Sequence, residues 1–395
     1  MGPPAERAVL ERSSLSPPNA PSPEDMVLSW YAEATEIGRG PIRSKDEVRN
    51  VHLRQRKEHL NRSLPFLLTR GEEALADFAD GSEIVPDDIE PRVVPVLAGS
   101  READVFRLAT LWWSVPVSQG FGRRQRFLVR DGQNEKLIGI LALGDPVFNL
   151  SARDEHIGWT SRHRELRLKY VTDAFVLGAL PPYSSIMGGR LVAAIATSRE
   201  VEEMFCRKYR GQRTVIREKR QAAQLALLTT SSVFGRSSVY ARLRVNDRLR
   251  FQYVGTTKGF GHFQVPTSVF RALVHLLEKR EHPYAHGNRF GNSPNWKMRV
   301  IRTGLQSLGL DPSRLHHGVQ RGIYVAPLAD DYTSFLCGRR RDISKTIQDT
   351  IPVIAETIKR RWVIPRASRT SDWKTVGGAS QIKNAVNSVA GERIL

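Results

Sequence analysis

The spacing of hydrophobic and polar positions changes several times along the chain. The first stretch is rich in Pro, Ser, Ala and Glu and lacks an apolar period, which predicts a disordered tail. Basic residues with helical spacing follow, and then short apolar runs separated by turns. The predicted organisation is a Pro/Ser-rich disordered tail over 1–40, a basic helical region over 41–90, an α/β core over 91–265, a mainly helical region over 266–370 and a loose polar tail over 371–395.

The predicted core is a mixed, mainly antiparallel sheet flanked by helices. Apolar runs at Gln125–Arg130 and Leu137–Leu143 are joined by the polar stretch Asp131–Asn134, a pattern typical of an antiparallel hairpin. A third strand is predicted at Tyr170–Leu177, and a Pro-Pro turn then leads into a helix that begins near Gly188. Beyond that helix the pattern predicts a buried strand over 225–230, a short helix over 235–243 and a strand over 250–254.

The balance of charges adds information about partners. The 395 residues contain 60 Lys and Arg against 41 Asp and Glu, a formal net charge of +19. The usual partner of such a surface is a polyanion, so nucleic acid, with DNA first, is the expected partner. A basic surface without a specific partner explains the same composition, and both interpretations stay open.

Several classes of protein are excluded by what the sequence lacks. No apolar stretch reaches roughly 18 residues, so no membrane span is expected, and no secretion signal is recognised. Cys206 and Cys337 are the only cysteines, which argues against a disulfide scaffold and a thiolate zinc site. His316 and His317 are adjacent and therefore do not share a face, so no metal site is predicted. The expected compartment is the cytoplasm.

Candidate phosphate contacts concentrate next to the predicted hairpin, where arginines lie among glycines. Guanidinium groups present several donors in a fixed fork that suits phosphate oxygens. The candidate nucleic-acid-binding residues are Arg123, Arg124, Arg126, Lys258 and Arg321. The alternative is structural, with the hairpin arginines pairing internally with Asp131 or Asp154 and holding the sheet together.

A second group of candidates is catalytic. Asp154, Glu155 and His156 are consecutive, and each side chain is of a type that serves as a general base. A salt-bridged loop at the protein surface is the alternative explanation of the same run.

The order of hairpin, strand, Pro-rich turn, Gly-Gly and helix resembles the core of the GCN5-related N-acetyltransferases. In that family a central strand splays from its neighbour, and amides of a glycine-containing loop at the next helix hold the pyrophosphate of acetyl-CoA. The resemblance implies acetyl-CoA as cofactor at Met187, Gly188 and Gly189, and Tyr240 as the general acid for the departing thiolate. Glycines that let the helix pack on the sheet and a tyrosine that packs in the core are the alternatives.

Longer strings resemble a second family over roughly Lys45 to Arg369. The strings are Trp113–Arg124, Arg126–Asp131, Leu137–Val147, Ile157–Trp159, Val254–Gly261, His317–Tyr324 and Arg361–Arg366. They resemble the family of the Druantia anti-phage defence protein DruA. Members of that family occur in bacterial defence loci beside a large helicase-like protein, and related proteins occur near transposable elements. The resemblance implies anti-phage defence with such a partner, and it brings no established catalytic residue.

Three hypotheses about function remain open. The first is a cytoplasmic defence component that binds phage nucleic acid through a basic face of an acetyltransferase-like scaffold. The second is an active acyl- or group-transferase that uses acetyl-CoA to modify nucleic acid or protein. The third is a transposon-associated DNA-binding protein. Fold alone does not decide among them.

Overall fold

The structure is a computed structural model that describes residues 21–37, 44–117, 122–213, 224–262, 264–285, 294–315, 317–344 and 348–395. The chain divides into two compact units, of which unit 1 covers Met1–Pro41 and Gly261–His317 and unit 2 covers Ile42–Phe260 and Gly318–Leu395. No helix in the described part of the chain is long and apolar enough to cross a membrane.

The helices and strands are named here in chain order. The helices are α1 (Pro23–Ile37), α2 (Lys45–Phe66), α3 (Glu72–Leu75), α4 (Arg101–Thr110), α5 (Ser151–Ile157), α6 (Ser161–Arg167), α7 (Gly188–Ile195), α8 (Arg199–Tyr209), α9 (Thr267–Lys279), α10 (Pro294–Ser307), α11 (Tyr332–Leu336), α12 (Ile351–Ile358), α13 (Ile364–Arg369) and α14 (Gly378–Ala390). The strands are β1 (Pro91–Val96), β2 (Arg124–Asp131), β3 (Leu137–Gly144), β4 (Val171–Ala179), β5 (Leu227–Ser232), β6 (Arg244–Val245), β7 (Arg248–Leu249), β8 (Gln252–Thr256) and β9 (Gly322–Pro327).

Unit 1 is built from α1, α9 and α10. Val27 and Trp30 of α1 are buried in one apolar cluster with Leu273 of α9 and Val300 of α10. Val27 and Trp30 are three residues apart and so share one face of the helix. The prediction of a disordered N-terminal tail is therefore wrong for α1, because residues far along the chain cover its apolar face. Residues 1–20 lie outside the described residues.

Unit 2 contains a seven-stranded sheet in the order β1-β2-β3-β4-β5-β9-β8. β4 and β5 are parallel, and every other neighbouring pair in this sheet is antiparallel. The structure confirms the prediction of an α/β fold with a mixed, mainly antiparallel sheet, and β2 and β3 form the predicted hairpin. β9, which contains the strand-like run Gly322–Val325, joins this sheet between β5 and β8.

Helices cover both faces of the sheet. On β3, Leu141 belongs to an apolar cluster shared with α7, α8 and α12, whereas Ile140 belongs to a second cluster shared with α2, α4 and α14. Successive residues of a strand point to opposite faces, so the two clusters lie on opposite sides. Every residue of β3 is buried, which explains why its sequence is an uninterrupted apolar run rather than an alternating one.

The parallel pair at the centre of the sheet is short. β4 and β5 are paired from Val171 to Ala174 on β4, whereas β4 continues to Ala179. The register of β4 against β3 also shifts at this level, because Leu143 is opposite Ala174 and Ala142 is opposite Val176. The extra residue is Phe175, and such a bulge increases the local twist of a strand. β4 and β5 therefore separate beyond Ala174.

The C-terminal residues are part of the core of unit 2. Ile382, Val386 and Val389 of α14 are buried in the cluster that α2 and α4 share. Their spacing of four and three residues forms one apolar stripe. The prediction of a loose polar tail over 371–395 is therefore wrong, because the stripe is short and its surroundings in sequence are polar.

We expect Ile382→Ala to lower the free energy of unfolding by about 2–5 kcal/mol, since it creates a cavity where the side chain is 0% exposed. Urea unfolding followed by circular dichroism measures the change. The exposed neighbour Gln381→Ala is the control and should stay within about 0.5 kcal/mol of the wild type. Equal stability of both variants would show that α14 does not contribute to the core.

Candidate functional site

Arg123 lies inside the protein rather than at its surface. Its side chain is 1% exposed, and Nε lies 2.6 Å from Oδ1 of Asp145. Nη2 donates to the carbonyl oxygen of Val171 on β4 at 3.3 Å, and the guanidinium lies 5.3 Å from the centre of the Phe205 ring. Arg123 is therefore a structural residue, and its assignment as a phosphate contact is wrong. Its partner is neither of the carboxylates that the structural alternative names.

Arg124 and Arg126 point to the opposite face of β2, two residues apart, and both are half-buried. The Arg124 guanidinium lies 3.8 Å from the centre of the Phe175 ring, and the Arg126 guanidinium lies 5.6 Å from the centre of the Phe106 ring. Lys208 of α8 donates from Nζ to the carbonyl oxygen of Arg124 at 2.9 Å. We call Arg124, Arg126 and Lys208 the cationic cluster.

The charges of the cationic cluster act on one another. Burial lowers the pKa of Arg124, and the positive charge of Arg126 lowers it further, whereas Asp173 and Tyr209 act in the opposite direction. The pKa of Lys208 is lowered in the same way, first by burial and then by Arg126. Like charges held close together in a partly desolvated place cost free energy unless an anion joins them. The arrangement is therefore suited to binding an anion.

A carboxylate lies across the sheet from this cluster. Gly144 of β3 is paired with Arg124 on one side and with Asp173 of β4 on the other. A Cβ atom at Gly144 would lie 3.2 Å from the Phe175 ring, so the ring occupies the space above the glycine. Asp173 is half-buried, and Thr229 of β5 donates from Oγ1 to its Oδ1 at 2.7 Å.

Burial raises the pKa of Asp173 from 3.8 to about 6, and the Thr229 hydroxyl, Arg153 and Arg124 oppose this change only partly. Asp173 therefore titrates near pH 6, and it lies at the level where β4 and β5 begin to separate. The sequence patterns did not single out Asp173. The available signal is a single carboxylate within the mostly apolar strand β4.

The predicted catalytic run on α5 does not form one site. Asp154 is buried and paired with Arg153 at 2.6 Å and with Arg164 at 2.8 Å. Glu155 is exposed, whereas Nε2 of His156 lies 2.8 Å from the Tyr332 hydroxyl, and burial lowers the pKa of His156. Consecutive helical residues point in different directions, so Asp154, Glu155 and His156 do not converge on one substrate.

Tyr240 lies in a turn of unit 2 instead of the predicted short helix. Its ring is buried, with ring centres 4.9 Å from Phe251 and 4.7 Å from Tyr324. Burial raises its pKa to about 12, which makes the phenol a weaker acid at neutral pH. The structural position matches the alternative of a tyrosine that packs in the core.

Three amides of the loop before α7 are not available to the pyrophosphate of acetyl-CoA. The Ser184 amide donates to the Leu180 carbonyl at 2.8 Å, the Ser185 amide donates to Pro182 at 2.9 Å, and the Met187 amide donates to Tyr183. These amides are engaged inside the loop and are not available to phosphate oxygens.

Of the two glycines at the start of α7, Gly188 has a structural role. A Cβ atom at Gly188 would lie 2.7 Å from the Tyr183 carbonyl oxygen, so only glycine fits there. A Cβ atom at Gly189 would contact Val239 at 3.6 Å. Met187, with a φ of 70°, occupies the left-handed region at the start of α7. We derive no chemical step through acetyl-CoA.

Lys258 and Arg321 lie near the opposite edge of the sheet from the cationic cluster. Lys258 follows β8, and Arg321 precedes β9. Thr257 links the two segments, because its Oγ1 accepts from the Arg321 amide at 3.0 Å. Lys258 is exposed, whereas Arg321 is half-buried and burial lowers its pKa. The five predicted nucleic-acid-binding residues therefore do not form one surface. Arg124 and Arg126 lie on β2, Lys258 and Arg321 lie beside β8 and β9, and Arg123 is buried in an ion pair with Asp145. Among the described residues, no group of three or more His, Cys, Asp or Glu could hold a metal ion.

The raised pKa of Asp173 makes stability depend on pH. The unfolded chain releases this proton near pH 4 and the folded protein near pH 6, so the wild type loses stability as the pH rises between them. Asp173→Asn removes this loss, and its melting temperature relative to the wild type should rise from pH 4 to pH 7. The corresponding free energy is on the order of 2–3 kcal/mol at most.

Thermal unfolding at several pH values measures this difference. Glu203→Gln, which removes a carboxylate from an exposed position of α8, is the control. Parallel pH curves for the wild type and Asp173→Asn would contradict the raised pKa.

Comparisons with known proteins match most of the chain. A family model described as "DruA: Druantia protein DruA" matches residues 43–338. A curated relative from Escherichia coli (strain UMEA 4076-1), named "Druantia protein DruA", is 41% identical over 334 residues, which cover 85% of this chain and 83% of the relative. No solved structure matches the chain. The matched range includes the cationic cluster and Asp173, and the chain belongs to the family of Druantia protein DruA.

Proposed function

We propose that this protein is a component of a bacterial anti-phage defence system and binds phage nucleic acid through a basic face of unit 2. DNA is the preferred candidate for this nucleic acid. The first part is supported by membership of a family named for Druantia. The resemblance of the sequence to that family also supports a cytoplasmic role beside other defence proteins, including a helicase-like partner.

The distribution of charge supports nucleic-acid binding by unit 2. Unit 1 contains 11 of the 60 basic residues and 9 of the 41 acidic ones, which leaves 49 basic and 32 acidic residues in unit 2. Nearly all of the excess positive charge therefore belongs to the unit that contains the sheet. An excess of this size attracts polyanions over a distance set by the salt concentration.

The single observation that carries the proposal is the cationic cluster. Arg124 and Arg126 are held against aromatic rings and repel each other electrostatically, and this arrangement gains free energy when phosphate oxygens approach. Lys258 and Arg321 are proposed as further contacts with the nucleic-acid backbone. Arg123 has no part in the proposed interface.

We also propose that the sheet is an acetyltransferase-like scaffold that serves binding. The parallel pair of β4 and β5, their separation beyond Ala174 and the bulge at Phe175 support this relationship. The engaged amides of the loop before α7 argue for a scaffold without the cofactor of that family.

Binding to duplex DNA at several salt concentrations tests the proposal. The logarithm of the affinity should fall linearly with the logarithm of the salt concentration, with a slope of about 0.9 for each neutralised phosphate. The double variant Arg124→Ala with Arg126→Ala should flatten this slope by up to roughly 1.8.

The control removes the same charge from unit 1, by Arg271→Ala with Lys279→Ala, two exposed residues of α9. This control should keep the slope of the wild type. Absence of DNA binding by the wild type at low salt would overturn the proposal. An equal loss of slope in both double variants would show that the cationic cluster does not contact the DNA.

The structural role of Arg123 is tested by the variant Arg123→Ala. Arg123→Ala removes the guanidinium partner of Asp145, which then keeps the backbone amide of residue 123 as donor. We expect a loss of unfolding free energy on the order of 2 kcal/mol, because Asp145 is partly exposed. The salt slope of DNA binding should stay that of the wild type. Urea unfolding and the same binding assay measure both quantities, and a flattened slope at unchanged stability would contradict the structural role.

A further inference from the structure

We infer that the loop between β3 and α5 carries a stacking site for unpaired bases, and that Phe148 is the side chain on which a base stacks. The inference rests on the proposed function, because it names single-stranded nucleic acid as a form that unit 2 binds. It assigns a role to two apolar residues of this loop, Val147 and Phe148, which we call the exposed pair.

The exposed pair consists of neighbouring residues whose side chains are in contact with solvent. The residue exposure is 63% for Val147 and 50% for Phe148. Apolar surface in such a position gains free energy when another molecule covers it. Aromatic side chains of this kind are the platforms on which bases stack in proteins that bind single strands.

The backbone of the exposed pair is held by an arginine from the interior of unit 2. The side chain of Arg153 is 0% exposed. Its Nη1 donates to the Val147 carbonyl and its Nη2 donates to the Phe148 carbonyl, each at 2.9 Å. Its Nε donates to Oδ1 of Asp154 at 2.8 Å, which compensates the buried charge. Because a buried guanidinium needs its hydrogen bonds, it opposes movement of both carbonyls.

The ring of Phe148 is held from the same carboxylate. Arg164 of α6 donates from Nη1 to Oδ2 of Asp154 at 2.8 Å. The guanidinium of Arg164 also lies 5.4 Å from the centre of the Phe148 ring. Asp154 therefore positions one arginine on the loop backbone and a second one on the ring. A ring that is already in place loses little conformational entropy when a base stacks on it.

The charges around the exposed pair favour nucleic acid as its partner. Helix α6, which contacts Phe148 through Arg164, lies in a segment over 161–170 in which basic residues outnumber acidic ones. The basic residues are Arg162, Arg164, Arg167 and Lys169, and the acidic residue is Glu165. A basic surface with an exposed aromatic ring matches the two features of single-strand binding, which are phosphate attraction and base stacking.

The exposed pair is also close to the cationic cluster along the chain. Gly144, the last residue of β3, is paired with Arg124. Phe148 follows four residues later, within about 15 Å even for a fully extended chain. A strand whose phosphates contact Arg124 and Arg126 can therefore place a base on Phe148.

Unpaired bases fit this site better than paired ones. Bases inside a duplex are covered on both faces by their neighbours, so stacking on Phe148 would first require unstacking, which costs free energy. The bases of a single strand present their faces to an aromatic side chain without this cost. The site therefore distinguishes single strands from duplexes.

Binding of the full chain to a labelled single-stranded oligonucleotide, measured by fluorescence anisotropy, tests the inference. Phe148→Ala should weaken this binding by roughly five- to tenfold, because one stacked base is lost. The salt slope should stay that of the wild type, since stacking neutralises no phosphate. Phe148→Trp retains an aromatic face and should retain the wild-type affinity. Binding to the duplex of the same sequence should change less than about twofold in Phe148→Ala.

An abasic strand of the same length separates stacking from every other effect of the substitution. The wild type and Phe148→Ala should bind this strand equally, because it offers no base to the ring. Leu68→Ala is the control, since Leu68 is another apolar residue of unit 2 and is 72% exposed. This control should bind both strands as the wild type does.

The outcomes separate the stacking site from the proposed function. Equal binding of the base-containing strand by the wild type and Phe148→Ala overturns the stacking site, leaves nucleic-acid binding intact and favours a protein as the partner of the exposed pair. An equal loss of affinity for the abasic strand in Phe148→Ala also overturns the stacking site. Absence of binding of the wild type to single strand and duplex overturns the proposed function and the stacking site together.

Discussion

The short parallel contact between β4 and β5 is the constraint on which unit 2 depends. It joins the antiparallel strands β1 to β4 with the antiparallel strands β5, β9 and β8. Threonine hydroxyls reinforce it: Thr230 donates to the Ala174 carbonyl at 2.9 Å, and Thr229 donates to the Asp173 carboxylate at 2.7 Å. Thr172 in turn donates to the Gly144 carbonyl on β3 at 3.0 Å. These bonds fix the level at which the two strands separate.

The proposed binding chemistry lies along the same row of the sheet. Arg124, Gly144, Asp173 and Thr229 occupy paired positions on four neighbouring strands. The glycine leaves room for the Phe175 ring, and the bulge in β4 gives that ring its place. The fold therefore brings a cation, a carboxylate and a hydroxyl onto one face without any of them being close in sequence. A change in the parallel pairing would displace all three together.

Arg123 is close in sequence to Arg124 and Arg126, but its charge has different surroundings. Arg123 is buried with a carboxylate and stabilises the packing of α8 on the sheet, so its charge is compensated within the protein. Arg124 and Arg126 are kept near each other and near Lys208 at an electrostatic cost. Shifted pKa values of this kind are typical of functional sites. The separation of roles follows from the alternation of faces along one strand.

The sequence by itself determined the elements whose signals are local. The hairpin of β2 and β3 follows from two apolar runs and a polar turn, and the excess of positive charge follows from composition. Only the tertiary structure decided which arginine is buried, because its partner Asp145 lies beyond the whole hairpin. Local sequence patterns likewise did not predict the helices α1 and α14 or the role of Asp173. Each depends on residues distant in the chain that cover an apolar stripe or remove water from a carboxyl group, and such contacts exist only once the chain has folded.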